Sequence, residues 1–330
     1  MSVKKFGPFL QKNSTKVFLN GAPVVKLIDP SIQTIKDVRD AIGPKTLIIV
    51  RKFFKSQPLK DPIGEAQNWG NIFLPYMTSG LDRNVVFEGY NEISDADTSV
   101  HAVFEEYRQA FLHQYGYGGV YGNHGVGNLD NQSAKPYGSL ISKFNDRDFF
   151  GWHSYWGTDQ TVLNPWHTLR WTLVDMLKDV PALITECGRD FVKDINLSPS
   201  LWGTRGWRLG KISEEQYYNE FMSFGAALDS FDNLAGATIF LVGPCETQWD
   251  NYQTENLYRR IKENQTGNYF YVSDQPIPPV EVPVENPVDD SADRIKELFD
   301  ETSKNLTKVQ KLVGYVENDL DEMRKIIYGK

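Results

Sequence analysis

An alternation constrains this chain more than any other feature. Between residues 5 and 272, short apolar, β-branched runs take turns with longer amphipathic stretches. The runs cover 7–11, 24–29, 47–53, 85–91, 119–123, 149–155, 182–186 and 237–242, and the helical patterns include 32–42, 63–78, 99–115, 163–178 and 213–231. Strands that alternate with helices predict a parallel sheet with crossover helices, and eight strands are the number that closes a barrel. The expected architecture is α/β: a (β/α)₈ TIM barrel over residues 1–272, for which roughly 250 residues suffice. An open doubly wound sheet is the alternative, and against it stands the lack of a Gly-rich phosphate turn after any strand. Pro8 cannot donate to a ladder, so the first run carries the weakest strand signal.

The rest of the chain is different in kind. Residues 273–290 hold five prolines, a density that favours extended polyproline II and forbids a helix, so this stretch reads as a semi-rigid linker. Residues 291–330 carry a heptad. Ile295, Phe299, Thr302, Leu306, Val309, Val313, Val316, Leu320, Met323 and Ile327 follow at steps of four and three, with charged residues between. So narrow a stripe needs a partner helix, which predicts a C-terminal coiled-coil helix and a homo-oligomer of unspecified number. A helix folded back on the barrel is the alternative.

Composition narrows the function classes. A formal charge of −8 argues against nucleic-acid binding, which calls for a basic face. No run of about 20 apolar residues can span a bilayer, and the first residues lack a secretory pattern. The expectation is a soluble protein made in the cytoplasm. Cys187 and Cys245 are too few for a disulfide framework and lack zinc spacing. No His-x-His pair or cofactor motif occurs, so no metal or cofactor is expected.

Chemistry on such a barrel sits at the carboxyl ends of the strands. The fourth run ends in Asn91-Glu92 and the seventh in Thr185-Glu186-Cys187-Gly188. Glycosidic cleavage through a covalent intermediate needs two such carboxyls facing one substrate, about 5–5.5 Å apart for retention and about 6.5–9.5 Å for inversion. Asn-Glu on strand four with Glu on strand seven resembles the clan of retaining barrel glycosidases that includes cellulases, mannanases, xylanases and β-galactosidases. The resemblance covers the barrel alone. It implies that Glu92 is the general acid/base and Glu186 the nucleophile. It further implies that Asn91 bonds the sugar's 2-hydroxyl and that Tyr155 touches the nucleophile. The chain departs from the clan in having Tyr90 and Ile93 around the Asn-Glu pair, where Trp and Pro are common. It also lacks a tryptophan on strand eight, where Phe240 runs on to Trp249.

As an acid, Glu92 needs a raised pKa, from burial or a nearby negative charge; as a nucleophile, Glu186 needs hydrogen bonds from Tyr155 or Arg51 that keep it ionised. Glu88 lies four residues before Glu92, on the same strand face, which predicts an internal ion network with Arg51 and Lys26. His153 and, less directly, His124 are candidates to bind sugar hydroxyls, whereas His101, His113 and His167 read as structural. Among the aromatics Trp152, Trp156, Trp166, Trp202, Trp207 and Trp249, the first candidates for sugar contact are Trp156 and Trp249.

These readings converge on a glycosidase that cleaves a β-linked polysaccharide by retaining double displacement. A barrel on an oligomeric stalk further resembles a phage-encoded lysin or tail-associated depolymerase, virion-associated or released at lysis. A non-catalytic carbohydrate-binding or structural barrel, such as a tail component, is the rival class.

Overall fold

The computed structural model describes residues 4–11, 21–191 and 205–265. The linker, the heptad and Trp202 lie outside these. Eight strands pair in parallel and in sequence order, and the last closes on the first. They are β1 (Phe6–Leu10), β2 (Val24–Ile28), β3 (Leu47–Arg51), β4 (Val85–Glu88), β5 (Gly119–His124), β6 (Phe149–Trp156), β7 (Ala182–Arg189) and β8 (Leu234–Ile239). The closed barrel, rather than the open sheet, is therefore the architecture.

The strands sort their side chains by a period of two. Val25, Leu27, Ile48, Val50, Val85 and Phe87 face outward and join the large core beneath the helices. Val24, Leu47, Ile49, Val86, Val120, Phe149, Leu183 and Ala235 form a separate cluster that fills the barrel. Toward the carboxyl ends this interior turns polar, with Lys26, Arg51, Glu88 and His153 following the apolar residues on the same strand faces. Closure is tight where β1 and β8 meet β2. A Cβ on Gly7 would lie 1.6 Å from the Val24 carbonyl oxygen, and one on Gly236 would lie 2.6 Å from the Val24 side chain. Only glycine fits either place.

The crossovers are uneven. Helix α1 (Ile32–Ile42) starts at Ser31, whose hydroxyl accepts from the Thr34 N–H, and buries Ile35, Val38 and Ile42 on one face. Helices α2 (Pro62–Met77) and α3 (Thr98–Gln114) pack as a pair, while α4 (Gly138–Ile141) is a single turn. The helix expected over 163–178 does not form. Two short 3₁₀ turns stand in that span, at Arg170–Leu173 and Asp175–Leu177, after a third at Asp159–Thr161. Pro165 disfavours the helical region for Asn164, and the Thr168 and Thr172 hydroxyls capture the carbonyls of Val162 and Leu169. Helices α5 (Glu214–Leu228) and α6 (Glu255–Glu263) complete the described layer. Strand β8 begins three residues before the expected 237, because Gly236 serves barrel closure rather than a turn.

Candidate active site

The polar layer opens into a cleft of about 840 Å³ at the carboxyl ends of the strands, within the range usual for ligand sites. Glu186 lies on its floor and reaches it through an irregularity in β7. Ile184 faces outward, and strict alternation would send Glu186 the same way. Pairing with β6 instead jumps from Trp152–Ile184 to His153–Glu186, so β7 holds one extra residue at Thr185. This bulge turns Glu186 into the barrel, a use of bulges common beside active sites.

The Glu186 carboxylate is held from both ends. Its Oε1 accepts from Arg51 Nη1 at 2.8 Å and from Lys26 Nζ at 3.1 Å. Its Oε2 accepts from the Tyr155 hydroxyl at 2.9 Å and lies 3.6 Å from His153 Nδ1. Lys26 also bonds Glu88 at 2.9 Å, and Arg51 Nε lies 3.9 Å from Glu88. The Lys26–Glu88–Arg51 network therefore forms, and it extends to the nucleophile candidate. Burial, the largest influence on Glu186, pushes its carboxyl up. The charges of His153, Lys26 and Arg51 outweigh it and hold the group at about 2, against an ordinary 4.5. Burial and the neighbouring Glu186 keep the Tyr155 phenol protonated, far above its ordinary range.

Glu92 stands just past β4, with its side chain 44% exposed. Its backbone is left-handed, at φ 52°, and its N–H donates to the carbonyl of Asn123, itself at φ 48°. Such conformations in non-glycine residues persist only when the surroundings impose them. Part of that imposition comes from Gln57, whose side-chain amide donates to the Asn91 carbonyl at 2.9 Å and accepts from the Asn91 N–H. The Asn91 Oδ1 has no partner among the described residues. His153 Nδ1 donates to Glu92 Oε1 at 2.7 Å, and its Nε2 has no partner among the described residues. Desolvation pushes the Glu92 carboxyl up, but the His153 hydrogen bond and charge outweigh it, and the net shift is downward from 4.5. The raised pKa expected for an acid is not found, because His153 offers a donor.

One imidazole thus bridges the two carboxylates. Distances of 2.7 Å to Glu92 Oε1 and 3.6 Å to Glu186 Oε2 meet at Nδ1. Their sum, about 6.3 Å, is the upper bound on the gap between those oxygens, just under the roughly 6.5 Å at which inverting spacings begin.

Of the expected site residues, Arg51, Asn91, Glu92, Tyr155, Glu186 and Trp249 line the cleft, and His153 sits beneath it on the two carboxylates. Trp249 reaches the mouth by standing edge-on to Phe240, at 5.3 Å. His124 does not arrive. An extra residue in β5 between Tyr121 and His124 turns its ring outward, against Tyr137, Phe150 and Trp152. Burial there pushes its pKa down to about 3. Trp156 touches the cleft wall, but its indole is 1% exposed under α5, with Nε1 donated to Glu220. It is a core residue rather than a sugar platform. His167, expected to be structural, lines the cleft instead. Sequence reasoning missed Gln57, Phe53 and the rim group of Asp190, Arg205 and Tyr252. Phe53 ends the expected run 47–53, and the others stand outside the periodic runs that made other residues readable.

No protein-family model and no curated protein matches the chain. Among solved structures it is similar to a GH5-4 broad-specificity endoglucanase from an uncultured bacterium, with 12% identity over 80% of this chain and 93% of that one, at a TM-score of 0.46. It is also similar to a tri-modular GH5 (subfamily 4) endo-β-1,4-glucanase from Bacillus licheniformis, with 10% identity over 76% of this chain and 55% of that one, at a TM-score of 0.40. At these values neither likeness bears on activity.

Proposed function

We infer that this chain is a glycoside hydrolase that cleaves a β-linked polysaccharide with retention of configuration. One observation carries the reading: carboxylates from β4 and β7 share a single imidazole in an open cleft, at a spacing bounded by about 6.3 Å. The two groups differ in the way double displacement requires. Glu186 is held ionised by two cations on Oε1, which leaves Oε2 to attack the anomeric carbon. Glu92, at the solvent-facing edge, is placed to protonate the leaving oxygen.

Glu92 starts ionised at neutral pH and must acquire a proton. A sugar that covers the mouth strips water from the exposed part of its side chain and strengthens the repulsion from Glu186, and both effects raise its pKa. Once Glu186 is esterified, that repulsion disappears. Glu92 then becomes the stronger acid and serves as the base that activates water in the second step. The unpaired Asn91 Oδ1 and the Trp249 ring are the groups offered to sugar hydroxyls and to a sugar face. The heptad of residues 291–330 would multiply weak glycan contacts by joining several barrels, a use suited to a virion-associated depolymerase or lysin.

The test is release of reducing ends from cell-wall material and a panel of β-glucans. Glu186→Gln should abolish release and leave glycan binding intact. Binding with no release from any substrate by the unsubstituted chain overturns the reading in favour of a carbohydrate-binding barrel.

A further inference from the structure

Phe53 follows β3 by two residues, and 64% of its surface is exposed. An apolar ring left in water is ordinary on a surface, but this one lines the cleft that holds Glu92 and Glu186. Trp166, at 60% exposure, makes the comparison. It does not line the cleft, and the Arg170 guanidinium covers its ring at 4.1 Å. Among the described residues, neither a ring nor a cation covers Phe53.

Its backbone is fixed all the same. The Phe53 N–H donates to Asp29 Oδ1 at 3.0 Å, and the Asp29 N–H donates to the Arg51 carbonyl at 2.8 Å. Asp29 holds φ 49° to do this. The segments after β2 and β3 are tied together, so the ring projects from an anchored support. Anchoring lowers the entropy lost when a ligand covers the ring.

Strand order gives the direction. Around the barrel, Phe53 follows β3, Glu92 follows β4, Glu186 lies on β7 and Trp249 follows β8. Phe53 and Trp249 therefore belong to separate walls of the cleft, which extends beyond the reacting pair on the β2–β3 side. Asp29 and Glu246, both exposed, also line it. Carboxylates there accept from sugar hydroxyls and repel carboxylated sugars.

We propose that Phe53 is a stacking platform for an uncharged pyranose unit remote from the cleaved bond, so that the cleft grips a neutral glycan several units long. This rests on the hydrolase reading and adds to it a substrate class and a binding residue.

The experiment compares Phe53→Ala and Phe53→Trp with the unsubstituted chain on neutral β-gluco-oligosaccharides of six units and on a short aryl β-glycoside. Phe53→Ala should raise KM for the long substrate about tenfold, as expected for losing much of a buried phenyl contact, with kcat within about twofold. The short glycoside should be unaffected, and Phe53→Trp should restore the long-substrate KM. Equal losses on both substrates, or none on either, overturn the proposal while leaving the hydrolase reading in place. Calorimetric binding of the six-unit glycan to Glu186→Gln, with and without Phe53→Ala, reads the platform apart from turnover. If the glycan is bound, about tenfold more weakly with Phe53→Ala, and never cleaved, the hydrolase reading falls and the platform stands; binding unchanged by Phe53→Ala overturns the platform. No binding of any neutral glycan by the unsubstituted chain overturns the platform.

Discussion

Lys26→Met isolates the interaction on which the site's electrostatics turn. The ammonium is fully buried, 2.9 Å from Glu88 Oε1 and 3.1 Å from Glu186 Oε1, and it lies 4.7 Å above the centre of the Phe9 ring. Methionine keeps the apolar volume and removes the charge. Glu88 is buried, and among the described residues its Oε2 has no partner, so the remaining cation near it is Arg51 at 3.9 Å. Leaving one charge of a buried pair uncompensated costs about 3–5 kcal/mol, or roughly 10 °C in Tm for a domain of this size. Glu186 contributes in the same direction. Its folded value of about 2 is depressed from 4.5, so its contribution is present above 4.5 and is lost as pH falls toward 2. The whole gap corresponds to about 3 kcal/mol, of which Lys26 supplies a share. Two assays read the effect. Thermal melts at pH 7 should show Lys26→Met strongly destabilised and Lys26→Met/Glu88→Leu largely recovered, because the pair disappears together. The acid limb of kcat/KM, set by ionisation of Glu186, should move upward in both. A melt within about 1 kcal/mol of the unsubstituted chain, with an unmoved acid limb, would refute the reasoning.

Two further outcomes follow from the same geometry. His153→Ala removes the hydrogen bond that holds Glu92 down, so the carboxyl's pKa rises and the protonated form survives to higher pH. The alkaline limb of kcat/KM should shift upward while kcat falls, and a pH profile checks both. Gln57→Ala frees the Asn91 main chain and should lower kcat about tenfold, with a loss of roughly 1 kcal/mol in stability, as read by steady-state kinetics beside a denaturant titration.

The barrel was legible because most of its strands bury one face inside and one beneath helices, which leaves short apolar runs between helical periods. Glu88, Arg51 and Lys26 could be sent inward from alternation alone, and their network forms. Strict alternation along β7 would send Glu186 outward, with Ile184, and the extra residue at Thr185 turns it in, where the expected role requires it. A bulge has no signature in the side-chain pattern, so the residue could be named as a candidate while its orientation could not. His124 was misplaced for the mirror-image reason, an unseen extra residue in β5. Trp156 is different. Since His153 and Tyr155 face inward, period-two alternation already sends Trp156 to the helices, where it lies. Phe53 closes the expected run 47–53, but β3 ends at Arg51, so it falls with Gln57 in the loop that follows, where tertiary contacts alone give them meaning.

The central claim is that Glu186 becomes covalently bonded to sugar during turnover. The direct measurement is mass spectrometry of the chain inactivated by an activated 2-deoxy-2-fluoro-β-glycoside, which slows release of the glycosyl-enzyme more than its formation. The account predicts one added glycosyl unit per chain, located on the peptide that contains Glu186 and absent from Glu186→Gln. An inactivated chain labelled elsewhere, or cleavage that proceeds with inversion and never accumulates an adduct, would contradict it.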